Sequence, residues 1–164
     1  MKNAVLAVAV AATLSGCISM PAPMERPPFP VAEYAQLDGR TGTGVVTGQV
    51  FLRTRGGEVR YGAGSEVLLN PVTSYSTHWY TTSYQGNKLL ADPDPRYNAH
   101  IITVQADGSG NFRFESVPAG DYYLTSEVFW DVPGPYGVSN MQGGYISERV
   151  SVEDGKEVRQ MLTR

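Results

Sequence analysis

Residues 104–124 read VQADGSGNFRFESVPAGDYYL. Within this stretch Phe112 and Phe114 alternate with Arg113 and Glu115, and Tyr122 and Leu124 alternate with Asp121 and Tyr123. Alternation with period two places one set of side chains on each face of a β-strand. The two runs are bounded by Asp107-Gly108-Ser109-Gly110 and by Pro118-Ala119-Gly120. Asp accepts hydrogen bonds from turn amides, Gly tolerates positive φ, and Pro ends a ladder because it has no N–H to donate. The stretch therefore predicts two short antiparallel strands joined by tight turns. It also predicts that the Tyr122 hydroxyl bonds to nearby backbone.

The same period extends in both directions. Val46, Val50 and Leu52 share one face, as do Val67 with Leu69, and Ile102 with Val104 and Ala106. Val128 and Trp130 continue the Tyr122 run, Ile146, Val150 and Val152 form another, and Val158 and Leu162 close the chain. Further turn signals stand at Arg55-Gly56-Gly57, Pro133-Gly134-Pro135, Gln142-Gly143-Gly144 and Glu153-Asp154-Gly155. No long segment has helical period with caps. About seven short strands at this spacing predict an all-β fold, a single antiparallel β-sandwich over residues 41–164.

Gly44-Val45-Val46-Thr47-Gly48-Gln49-Val50, residues 104–114 and Val117–Leu124 together resemble the carboxypeptidase regulatory-domain-like module, a transthyretin-like sandwich. The resemblance covers about 45–70 and 101–130. It implies a non-catalytic appendage or surface domain and marks a fold better than a function. The zinc motif of the peptidase itself is absent. The chain departs from the family pattern between Leu69 and Ile101, where an aromatic-rich insert replaces a shorter connection.

Composition excludes several classes. The chain has 164 residues, 41% of them apolar and 18% charged, with 18 Gly, 11 Pro and 10 Tyr. That is too rich in turn formers for a helical bundle and too apolar for a disordered chain. A net charge of −3 removes the basic footprint of a nucleic-acid binder. One Cys and two His cannot build a disulfide framework or a four-ligand Cys/His zinc site.

The N-terminus reads as an address. Lys2 precedes an apolar run from Ala4 to Leu14, too short for a membrane span of about 20 residues but suited to a secretory signal. Leu14-Ser15-Gly16-Cys17 resembles the bacterial lipoprotein lipobox. The resemblance implies cleavage after residue 16 and covalent lipid on Cys17, with no other cofactor, and hence a membrane partner in the cell envelope. Ile18 in place of Asp implies sorting to the outer membrane. The alternative is an ordinary signal peptide, or a buried N-terminal helix, with an incidental Cys. Residues 17–40 then hold five prolines between Pro21 and Pro30, which predicts an extended tether at about 3.1 Å per residue, with Val31–Leu37 free to form a short helix or dock. A Pro-rich ligand for another protein is the other reading.

Candidate binding residues concentrate in the insert, 73–100: His78, Trp79, Tyr80, Tyr84, Tyr97 and His100. Aromatic faces beside Thr, Ser and Asn suit a glycan or peptide. Against this, Tyr75, Thr77, Trp79 and Thr81 alternate as an extra packed strand would. The Pro133–Gly144 loop is a second candidate recognition surface. His78 and His100 with Asp92 or Asp94 lack any metal-ligand spacing, and Asp107–Asn111 lacks the downstream Glu of an EF-hand. No GxSxG elbow surrounds any Ser, and Asp92, Asp94 and Asp131 read as turn formers. Lys88 and Lys156 do not lie in the first strand, as an isopeptide crosslink would need. The leading expectation is a membrane-anchored, non-catalytic interaction or structural module with an envelope protein or glycan partner. The alternatives are an envelope glycan or peptidoglycan binder using the insert, and a hydrolase with an unrecognised site.

Overall fold

Every second residue of the first strand is buried, from Gly44 through Val46, Gly48 and Val50 to Leu52. This is the half-buried pattern that the alternating side chains demand. The computed structural model describes residues 22–164; the signal segment, Cys17 and Ile18 lie outside the described residues. The strands are β1 (Gly44–Arg53), β2 (Val59–Tyr61), β3 (Glu66–Pro71), β4 (Ile102–Gln105), β5 (Asn111–Val117), β6 (Gly120–Pro133), β7 (Ser139–Val152) and β8 (Glu157–Leu162). Two sheets result, one with β2, β5 and β8 on β1, the other in the order β4-β3-β6-β7. Val46, Val50, Leu52, Phe112, Phe114 and Leu162 from the first pack on Val67, Leu69, Tyr122, Leu124, Val128, Ile146 and Val150 from the second. The fold is thus an all-β sandwich.

Three details differ from the sequence expectation. There are eight strands among the described residues, because β2 has no buried position and so carries no apolar alternation. The pairing is antiparallel except that β8 runs parallel to β1, after the turn at Glu153–Lys156 carries the chain from one sheet to the other. Gln142-Gly143-Gly144 is not a turn: it lies inside β7, and the expected Pro133–Gly144 loop is the end of a hairpin in which 14-residue strands pair from Gly120↔Val152 to Pro133↔Ser139.

The quoted turns behave as their residues require. Asp107 Oδ1 accepts from the backbone N–H of Ser109 and of Asn111, each at 2.8 Å. The Asn111 side-chain amide, then these backbone donors, hold the Asp107 carboxyl below the usual carboxylate range. Gly110 has φ +78°, and a Cβ there would stand 2.5 Å from the Val50 carbonyl oxygen. The Tyr122 hydroxyl donates to the Pro118 carbonyl at 2.8 Å, pinning the start of β6.

The Pro-rich segment is not a free tether over its described part, 22–40. Met24 bridges Leu90, donating its N–H to the Leu89 carbonyl at 2.7 Å and accepting from the Ala91 N–H at 2.9 Å. The Arg26 guanidinium donates to the Ala91 carbonyl at 2.6 Å and lies 5.6 Å from the Tyr75 ring. Helix α1 (Val31–Ala35) buries Tyr34. Phe29, Tyr34, Tyr75 and Tyr97 then form one ring cluster with centroids 4.5–6.4 Å apart. Proline fixes φ without supplying a packing surface, and here the aromatic and arginine side chains between the prolines supply it. Among the described residues no helix is long and apolar enough to cross a membrane.

Burial, reinforced by the neighbouring Tyr34 hydroxyl, pushes the Tyr97 hydroxyl up to about 12. The folded state therefore favours the protonated phenol. Its contribution is complete below the ordinary tyrosine value near pH 10 and is lost as pH rises through about 12. Denaturant melts between pH 9 and about 12 should show wild-type stability falling more steeply than that of Tyr97→Phe. Equal slopes would place Tyr97 in solvent.

Candidate functional site

The insert does not form an extra strand. Thr73 opens helix α2 (Ser74–Trp79) with a reciprocal cap: its hydroxyl accepts from the Ser76 N–H at 3.1 Å, and its own N–H donates to the Ser76 hydroxyl at 2.8 Å. The chain continues as a π-helical turn, Tyr80–Gln85, and later makes a 3₁₀ turn, Pro95–His100. Thr and aromatic residues are poor helix formers, so this segment owes its shape to packing. Glu33 of α1 accepts from the Ser74 N–H at 2.8 Å, and the Tyr34 hydroxyl bonds the Thr73 hydroxyl at 2.9 Å. The docked N-terminal segment thus completes the start of α2.

The face that α2 covers is the outer face of the second sheet. Alternation sends Tyr123 and Thr125 of β6 away from the core, yet both are buried. Tyr80 stacks on Tyr123, centroids 4.5 Å apart and planes at 18°, and the Thr77 hydroxyl bonds the Tyr123 hydroxyl at 3.1 Å. Beside them Thr125 and Ser147, paired across β6 and β7, share a buried hydroxyl–hydroxyl bond of 3.0 Å.

Five of the six sequence candidates separate into two groups, and His78 stands apart from both. Trp79, Tyr80 and Tyr84 form one cluster: Tyr84 lies 6.2 Å from Trp79 and 5.3 Å from Tyr80. Burial, then the nearby Tyr84 hydroxyl, raises the Tyr80 hydroxyl above its ordinary value. Tyr97 and His100 belong to the other cluster, beneath α1. Asn70 donates to the Tyr97 hydroxyl, and His100 packs 4.9 Å from Tyr34 and 3.9 Å from Asp38. His78, on α2, is half-buried with Nε2 unpartnered among the described residues. Asp94 caps the 3₁₀ turn through the Arg96 N–H at 3.0 Å, and its ion pair with Arg96 holds its carboxyl at about 2. Among the described residues no three His, Cys, Asp or Glu converge as a metal site would need.

The first cluster borders a cleft of about 450 Å³ lined by Trp79, Ser83, Tyr84, Asn87, Gly144, Tyr145 and Arg164. Tyr145 leaves β7 on the same outer face and is 56% exposed, with its ring edge against Phe129, itself 47% exposed, at 6.3 Å. The Glu127 carboxylate raises the Tyr145 hydroxyl above its ordinary value, with burial adding to it. Rings on two sides with Ser, Asn and Arg between them give apolar platforms and hydrogen-bond donors within one open cleft, the arrangement that holds a flat, hydroxyl-rich ligand. Sequence reasoning missed Phe129, Tyr145 and Arg164; Gly143–Gly144 fell within its second candidate surface, 133–144, but was read there as a turn. The available signal was Tyr145 beside Ile146, out of phase with the core face.

No family model matches the chain, and no curated protein is similar to it. Among solved structures it is similar to a Pseudomonas aeruginosa protein described as a "putative carbohydrate binding protein". The two share 29% identity and superpose with a TM-score of 0.74, over 85% of this chain and 99% of that one.

Proposed function

We propose that this chain is a non-catalytic carbohydrate-binding module of the bacterial envelope, held to a membrane by lipid on Cys17. The observation that carries the glycan reading is the cleft between Trp79, Tyr84 and Tyr145, with Ser83, Asn87 and Arg164 on its rim. Aromatic rings offer a sugar its apolar ring face a surface to lie on, and the rim groups meet the hydroxyls. The likeness to the Pseudomonas protein supports the same reading. Binding without cleavage is the reading for the acids and histidines engaged elsewhere, Glu127 beside Tyr145 and His78 on α2 being the exceptions. His100 and Asp38 sit by the docked segment, Asp94 is taken by Arg96, and Asp107 by its own turn.

The membrane part rests on Lys2, the Ala4–Leu14 run and the Leu14–Cys17 lipobox, with Ile18 favouring the outer membrane. Two or three acyl chains, at about 0.8 kcal/mol per buried CH₂, suffice for stable attachment. Because the chain is docked from Met24 onward, the seven steps from Cys17 span at most about 25 Å. The sandwich then stays close to the bilayer surface, not several nanometres away. A protein partner in the envelope is the second reading. The β6–β7 ribbon favours it, because its tip exposes Val132, Tyr136, Val138 and Met141.

Two measurements check this reading. Calorimetric titration with the glycans that bind on an array should show Tyr145→Ala weakening affinity about tenfold or more with little change in melting temperature. Unchanged affinity would move the site elsewhere. Radiolabelled palmitate should enter the wild type and not Cys17→Ser; label in the variant would overturn the anchor.

A further inference from the structure

Arg164 stands between two clefts. One is the aromatic cleft described above. The other, about 530 Å³, is the open end of the sandwich, lined by Leu52, Arg53, Arg55, Arg60, Trp130 and Arg164 together with Glu58 and Gln142. Its residues follow from the strand register. Arg60 pairs across β1–β2 with the core residue Leu52, so it faces the gap between the sheets. Opposite, Trp130 packs on the end of the core, and Gln142 is its cross-strand partner on β7. Asp131 leaves β6 on the other face. Arg53 ends β1, and Arg55 sits in the turn closed by the Thr54 and Glu58 backbones.

The charge there runs against that of the whole chain. Four arginines line this end with one acidic residue, Glu58, in a protein of net charge −3; Arg60 is set inward by register and Arg53 stands at the strand end beside it. Glu58 is already paired with Arg60 at 2.7 Å, and Arg164 donates to the Gly143 carbonyl at 3.2 Å. Neither Arg53 nor Arg55 has an ion-pair partner among the described residues. A guanidinium beside an indole is a receptor for a carboxylate or phosphate carried on a ring, since the fork takes two oxygens while the ring lies on the aromatic face.

The two clefts meet across the edge of β7. Gly144 lines one and Gly143 the other. Both have positive φ, +112° at Gly143 and +147° at Gly144, and a Cβ would stand 2.0 Å from the Val128 oxygen at Gly143 and 2.8 Å from the Arg164 guanidinium at Gly144. No side chain therefore rises from either position to separate the clefts, and Arg164 lies over the passage.

We propose that the aromatic cleft and the arginine-lined end form one groove for an acidic oligosaccharide. A sugar ring lies among Trp79, Tyr84 and Tyr145, and a carboxylate or phosphate further along the chain is met by Arg164, Arg53 and Arg55. This rests on the carbohydrate reading and names the ligand class for it.

The test uses the full chain in detergent micelles with a galacturonate hexamer, its fully methyl-esterified counterpart and a phosphorylated oligosaccharide of similar length. Either acidic sugar should bind at least tenfold more tightly than the ester at about 20 mM salt, with the advantage shrinking at about 500 mM as the charges are screened. Whichever acid binds better identifies the anionic group. Arg53→Ala with Arg55→Ala should remove the preference, bringing the acidic sugars down to the affinity of the ester. Equal affinity for acid and ester would overturn the acidic-ligand inference while the carbohydrate reading stands. Binding of neither acid would overturn the acidic-ligand inference, and no glycan bound on the array would overturn the carbohydrate reading beneath it. Retention of the preference in the double variant, or equal binding of polyphosphate without sugar, would overturn the groove.

Discussion

Tyr123 leaves β6 on the face turned away from the core, and the need to cover it organises everything outside the sandwich. A tyrosine buries 150–250 Å², too much apolar surface to leave wet beside Thr125 and Ser147, which are buried and bond to each other. The ring of Tyr80 closes over it, with the Thr77 hydroxyl satisfying its polar tip. Once Tyr80 is fixed, helical spacing places Tyr84 one turn further along and Trp79 beside it, which brings them to the cleft that Tyr145 borders from the sheet. The binding surface is therefore a by-product of covering one sheet face incompletely: the insert shields Tyr123 and stops short of Tyr145 and Phe129.

The insert is too short, and too rich in Thr and aromatic residues, to hold helical geometry alone. Its start is fixed from outside, by Glu33 on the Ser74 amide and Tyr34 on the Thr73 hydroxyl. The segment before β1 thus works as a clasp. Arg26 and Arg96 reinforce it, one over the Tyr75 ring and the other 4.6 Å from the Phe29 ring. The docked segment and the start of α2 are therefore held together, and with them the insert that carries the aromatic cleft.

At the opposite end the chain exposes what it covers here. β3 pairs with β6 only as far as Ser126, so β6 and β7 run on as a two-stranded ribbon that carries Val132, Tyr136, Val138 and Met141 to the surface. Two strands alone are marginal in water. Where the ribbon leaves the sandwich, the sheets no longer close on each other, and arginines replace the aliphatic residues that fill the gap further in. Polar residues at inward positions are tolerated there because that end of the gap is wet.

Period-two alternation is a local property, so the residues themselves specified the core: Val46, Val50 and Leu52, Phe112 and Phe114, Tyr122 and Leu124 are all buried where their spacing places them. The Asp107–Gly110 turn was legible for the same reason, since its donors and acceptor lie within four residues. The insert was not. Tyr75, Thr77, Trp79 and Thr81 alternate like a strand, while Ser76, Tyr80 and Tyr84 recur like a helix, and nothing within the segment chooses. The Thr73–Ser76 cap and the outward-facing ring of Tyr123, 46 residues beyond Thr77, make the choice. The docking of the proline-rich segment and the meeting of Arg53, Arg55 and Arg164 likewise join parts of the chain far apart in sequence. Which side chains face inward was written in the spacing of neighbours, because a strand's geometry is fixed by its own backbone. What covers the outer face, and which charges share a cleft, only the folded arrangement decided, because those contacts exist only after the two sheets have closed.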